Sequence, residues 1–162
     1  MAIPDSETLL SRLVGVRMYA VTFVNDYIQL QFDGEPTGSP VLFNVEVWPS
    51  IEYGGRVWRE PDLGYADALR RLTPGIVRSI VERAGVGIRV ELDTGAFVID
   101  PKIEEVHVEI GYLRGFPDGA WEVWTPGTGS FAHVVSARPT RRTPPRCSRA
   151  RRRPRPGRGR PR

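Results

Sequence analysis

Cysteine is all but missing from this chain: the one present, Cys147, stands near the C-terminal end. A single thiol forms no intramolecular disulfide and no cysteine-based zinc site. Lysine is as scarce, Lys102 being the only one among 23 basic residues, a usage that fits GC-rich coding DNA. No apolar run approaches the roughly 20 residues of a membrane-spanning helix. The start, Met1-Ala2-Ile3-Pro4-Asp5-Ser6-Glu7, has neither the basic nor the apolar region of a secretory signal. These absences lead to the expectation of a soluble, cytoplasmic protein with no membrane partner.

Chemical motifs are missing too. Gly54-Gly55 and Gly85-x-Gly87 do not open a helix after a strand, as a phosphate-binding loop must. Ser130 and His133 make no triad by spacing alone, because triads are defined by geometry. No catalytic residue, no metal ligand set and no cofactor is therefore assigned.

What is present is sorted by charge. All 19 acidic residues and 11 of the 23 basic ones precede Arg138, a net charge of −8; residues 138–162 hold 12 arginines, six prolines and no acid. The expectation is one acidic domain over residues 1–135, followed at 136–162 by an Arg/Pro-rich tail too poor in apolar residues to order itself.

Within the acidic part the periodicities alternate between helix and strand. Leu9, Leu10, Leu13 and Val14 form a helical face behind Ser6 as N-cap, and Gly15 ends it. Residues 16–24 and 27–33 alternate around Asn25-Asp26, a turn that tolerates positive φ, and read as a β-hairpin. Val41, Phe43, Val45 and Val47 continue as a strand up to Pro49. Sixty residues on, Ile88, Val90, Leu92 and Asp93 repeat Ile28, Leu30, Phe32 and Asp33 without gaps. Leu69-Arg70-Arg71-Leu72 repeats Leu10-Ser11-Arg12-Leu13, with one inserted residue assigned before Gly75. A second helix is expected over residues 63–72 behind Asp62. Residues 76–84 fit a helical period taken alone, but the aligned copy makes them a strand. Further strands are expected at 96–99, 105–113 and 120–124, the last two joined across Phe116-Pro117-Asp118-Gly119. The expected fold class is α+β: a mostly antiparallel sheet of six or more strands with two short helices, built as a duplicated helix-strand-strand-strand unit.

Leu13-Val14-Gly15-Val16-Arg17, Gln29-Leu30-Gln31-Phe32-Asp33-Gly34 and Leu113-Arg114-Gly115-Phe116-Pro117-Asp118-Gly119-Ala120-Trp121 resemble small uncharacterised proteins of actinobacterial type, over roughly residues 6–133. These pieces are turns and strands, so the resemblance implies no functional residue.

Two groups of side chains are candidates for function. Glu105, His107 and Glu109 alternate on an expected strand, which places them on one face about 7 Å apart. There the carboxylates would raise the histidine pKa or flank a hard cation; the alternative is a plain solvated strand face. Trp48 shares a face with Asn44 and Glu46, Trp121 and Trp124 face opposite ways, and Trp58 and Arg59 lie in the connection between the repeats. Tryptophan and arginine among polar residues are the composition of interface hot spots; the alternative is a second, smaller core layer. The leading reading is thus a non-enzymatic interaction domain for a partner protein or for self-association, through Trp48, Trp58, Arg59 and Trp124. Nucleic-acid binding through the tail comes second, where Arg158-Gly159-Arg160-Pro161 matches the core of an AT-hook. A small enzyme or metal site at Glu105, His107 and Glu109 is third. GC-rich DNA read out of frame also yields Arg, Pro, Gly, Ser and Ala, so a frameshifted end is a second origin for the tail.

Overall fold

The computed structural model describes residues 8–34 and 38–136. A 3-10 turn, Leu9–Leu13, leads into strands β1 (Arg17–Val24), β2 (Tyr27–Phe32) and β3 (Val41–Val45). A hairpin follows, β4 (Ser50–Tyr53) and β5 (Arg56–Trp58), then the helix α1 (Tyr65–Arg71). Strands β6 (Gly75–Arg83), β7 (Gly87–Leu92) and β8 (Gly95–Ile99) come next, and a second 3-10 turn at Ile103–Glu105. The hairpin of β9 (Gly111–Arg114) and β10 (Glu122–Trp124) precedes a last 3-10 turn, Gly129–Phe131.

All ten strands join one antiparallel sheet in the order β10-β9-β3-β2-β1-β6-β7-β8-β4-β5. Its middle is a weak seam, since β1 and β6 pair only through Arg17 with Ile76 and Met18 with Gly75. On each side of the seam the pairing follows one scheme. Met18 faces Phe32 and Val21 faces Leu30 in one half; Val77 faces Leu92 and Ile80 faces Val90 in the other, each first strand bulging once. β3 and β8 are each extended by a hairpin from the opposite part of the chain: β9–β10 add to β3, and β4–β5 add to β8. Neither half can be completed without the other.

Alternation supplies the core. Ile28, Leu30 and Phe32 of β2, Val41, Phe43 and Val45 of β3, and Ile88, Val90 and Leu92 of β7 are buried, and the residues between them, polar except for Leu42, are less so. These side chains, with Phe97, Leu69, Leu72 and Phe131, belong to one continuous cluster running from Leu10 to Val134. The two halves therefore close their inner faces on a shared core, as a sheet with one apolar face must.

The expected α+β class with two short helices needs correction: the described residues form a ten-stranded antiparallel sheet with a single α-helix. The first expected helix is a five-residue 3-10 turn. Thr8 Oγ1 accepts from the Ser11 amide at 3.3 Å as its N-cap, while Ser6 lies outside the described residues. In a 3-10 turn positions three apart eclipse, so Leu10 and Leu13 reach the core and Val14 is left exposed. Gly15 then donates to the Val77 carbonyl at 2.8 Å, which draws the chain into the sheet before a helix can extend. The second helix begins at Tyr65, because Gly64 takes φ 98° and breaks the turn ahead of it. Asp62 is not its cap: that carboxylate accepts from the Arg59 amide at 2.8 Å.

Residues 105–113 are not one strand. Ile103–Glu105 is a 3-10 turn, residues 106–110 are irregular, and β9 starts at Gly111. The β4–β5 hairpin stands in a stretch read as a connection. Gly54 and Gly55, at φ 63° and 75°, form its two-residue turn, and glycine meets two successive positive φ values at no steric cost.

Candidate functional site

The loops at one end of the sheet surround a cleft of about 690 Å³. Asp26 reaches it from the β1–β2 turn, Glu46 and Trp48 from the segment after β3, and Arg59, Glu60 and Pro61 from the segment after β5. Asp100, Pro101 and Lys102 follow β8, and Glu105 and His107 come from the 3-10 turn and the irregular stretch behind it.

Trp48 is the aromatic of this cleft, its surface 37% exposed. The indole stacks on Phe23 with ring centroids 6.3 Å apart and an interplanar angle of 24°. Tyr65 meets it edge-on at 6.1 Å and 78°. The Tyr65 hydroxyl in turn donates to the carbonyl of Pro49, the neighbour of Trp48, at 2.6 Å. Helix α1 thus clamps the loop that carries the indole. Burial, and after it the charge of Glu60, pushes the Tyr65 phenol well above its usual range and keeps it a neutral donor.

The rim is acidic. Asp26, Glu46, Glu60, Asp100 and Glu105 line the cleft against Arg59 and Lys102. Glu46 is held above the usual glutamate range, first by burial and then by the charges of Asp26 and Glu109. Negative potential is thus already costly there, and a positive group entering the cleft would relieve it. Glu105 accepts from the Lys102 amide at 2.6 Å and so caps its own turn. Asp100 Oδ1 and His133 Nε2 lie within hydrogen-bonding distance, at 2.7 Å.

The residues singled out by sequence divide accordingly. Trp48, Arg59, Glu105 and His107 come together in the cleft, and Glu109 acts on it through its charge on Glu46. The strand face that was to join Glu105, His107 and Glu109 does not exist, because the chain there is a turn and an irregular segment. Trp58 points elsewhere: its Nε1 donates to the Tyr53 carbonyl at 3.3 Å, and the Arg56 guanidinium lies 3.9 Å over its ring. Trp124 is buried rather than outward, only 5% exposed. Its partner across the ladder is Gly111, whose missing side chain leaves room for the Phe43 ring, and the indole packs with its centroid 5.4 Å from that ring. Arg158 and Arg160 lie outside the described residues.

One constellation had no local signal. Glu82 Oε1 accepts from Trp124 Nε1 at 2.6 Å and from Ser130 Oγ at 3.0 Å. The second oxygen of Glu82 and Oε2 of Glu122 are both buried without a hydrogen-bond partner. Burial, and then the charge of Glu82, raises the Glu122 carboxyl above its usual range. Only the fold unites residues 82, 122 and 130. Ser130 and His133 belong to different pairs, with Glu82 and Asp100, and form no nucleophile–base unit. Among the described residues no group of three or more His, Cys, Asp and Glu side chains is placed to hold a metal ion.

Comparison with protein-family models, with curated proteins and with solved structures finds no match to this chain.

Proposed function

We propose that this protein is a non-enzymatic interaction domain whose cleft takes a cationic side chain, arginine or lysine, from a partner protein. The observation that carries this is Trp48: a part-exposed indole, clamped by Phe23 and Tyr65, in a cleft lined by five carboxylates and two cations. A guanidinium over an indole face gains about 0.5–1 kcal/mol at exposed sites and more when desolvated. Carboxylates beside it accept the fork of guanidinium donors in pairs. The clamp supports the reading further, since side chains ordered beforehand lose little entropy on binding. A dyad of His107 with Glu105 is disfavoured because that carboxylate already caps its own turn. Nucleic acid is disfavoured at the cleft by its sign of charge.

Fluorescence titration with short arginine-containing peptides tests the proposal. Binding should fall about tenfold or more in Trp48→Ala, as for an aromatic hot spot. Trp121→Ala should bind unchanged, since Trp121 is exposed but lies outside the cleft. Equal effects of the two substitutions would refute a site at Trp48.

A further inference from the structure

We propose that the arginine-rich segment at residues 138–162 is the cleft's own occupant, docking in cis over Trp48. The inference rests on the cationic-partner reading above and names that partner.

Charge makes the first argument. The segment carries 12 arginines and no acid, while the residues before it sum to −8. Of the acidic residues, Asp26, Glu46, Glu60, Asp100 and Glu105 converge on the cleft. The path of the chain makes the second. Phe131 and Val134 are buried in the core, which fixes the last described turn. Between them His133 holds Asp100, itself a wall of the cleft, at 2.7 Å. The polypeptide is thus anchored at the rim, and Arg138 follows His133 by five residues, a span of at most about 18 Å in extended chain. Arg141, Arg142 and Arg146 come directly after it.

Tethering turns weak contacts into an occupied site. A ligand on a short tether has an effective concentration on the order of millimolar, so an affinity far below that of a free peptide is enough. Six prolines in the segment limit the backbone freedom lost on docking. An outside partner would have to displace the segment, which makes it an internal competitor for the cleft.

Cys147, the only cysteine, lies within the segment and permits a test on the natural chain. A nitroxide attached there should selectively abolish the NMR signals of the Trp48 indole and of the amides of Glu46, Glu60 and His107. Those signals should return at about 1 M salt, where the screening length is about 3 Å, and in the double variant Glu46→Gln, Glu60→Gln. Broadening confined to residues 130–136, spread evenly over the surface, or indifferent to salt would overturn the proposal. So would broadening that appears only between a labelled chain and a second, isotope-labelled chain, because docking would then be between copies. Adding an arginine-proline peptide separates the two readings. If the peptide shifts Trp48 and Glu46 while the nitroxide leaves them untouched, the cationic cleft stands and self-docking fails. If neither acts on them, both fail.

Discussion

Trp124 Nε1 donates to Glu82 Oε1 at 2.6 Å, although their strands are far apart in the sheet. β10 is an edge strand and β6 sits beyond the central seam, with β9, β3, β2 and β1 between them in hydrogen-bonding order. The two side chains meet only because the halves fold over the common core, and Ser130 adds a second donor to the same oxygen at 3.0 Å. This contact is a side-chain latch across the sheet.

Removing the latch should be costly. Trp124→Ala is expected to lower stability by about 3–5 kcal/mol, the usual range for emptying a buried aromatic site. Trp124→Phe keeps most of the ring volume but takes away the donor, at about 1–3 kcal/mol. Urea unfolding checks both, as a lower midpoint at unchanged slope. A mild Trp124→Ala would mean that the indole is not in the core.

Glu122→Gln should stabilise the protein near neutral pH. The raised carboxyl of Glu122 means that the folded state holds this proton more tightly than the unfolded chain does. Its contribution is therefore full below the unfolded value and is lost as pH rises through the folded one. A glutamine is neutral throughout, so it removes both the burial cost of the charged carboxylate and its repulsion with Glu82. The advantage of the variant, read from midpoints across pH, should shrink on acidification. A constant difference would show that the charge of Glu122 plays no part.

Gly87 and Gly55 separate two costs of adding a side chain. Both have positive φ, 81° and 75°. A Cβ at Gly55 meets nothing within 4 Å, whereas one at Gly87 would stand 2.2 Å from the Ile99 carbonyl oxygen. Gly55→Ala should cost about 1 kcal/mol through backbone strain. Gly87→Ala should lower the thermal midpoint substantially further, and equal shifts would show that the β7–β8 approach can relax.

Local pattern carried the strands of both halves, because alternation in β2, β3 and β7 reports a single buried face. Ile28, Leu30 and Phe32 pair with β1 in the same register in which Ile88, Val90 and Leu92 pair with β6. Met18 faces Phe32 as Val77 faces Leu92, so the one-residue offset expected ahead of Gly75 lies instead in the β6–β7 turn. Gly54-Gly55 is itself a hairpin signal, since two successive glycines supply the positive φ of a two-residue turn. Exchange of the hairpins between halves had no trace in sequence, since it depends on pairs such as Phe43 with Leu113 and Ile51 with Phe97. The exposure of Trp48 and the burial of Trp124 are equally out of reach: an exposed ring and one packed on Phe43 alternate alike along the chain. Glu105 and His107 reached a common cleft with Trp48 and Arg59 by a turn, for a reason no strand periodicity contains.

The cleft should show opposite pH trends for stability and for binding, and Glu46 is the residue that separates them. Its carboxyl lies above the usual range, mainly through burial and then through Asp26 and Glu109. In the free protein its contribution to stability is complete below the unfolded value and disappears as pH rises through the folded one. A bound guanidinium has the reverse preference, for the charged carboxylate. An arginine-rich peptide should therefore bind best near pH 7 and weaken on acidification as Glu46 takes up its proton. In Glu46→Gln the affinity at pH 7 should drop and the pH profile should flatten, while the stability at pH 7 rises slightly at about 1 M salt, where the arginine-rich segment is screened from the cleft. Titration calorimetry between about pH 5 and 8 reads the binding, and thermal unfolding over the same range reads the stability. A profile as steep in Glu46→Gln as in the natural protein would remove Glu46 from the site, because the acid dependence would then belong to other carboxylates of the rim.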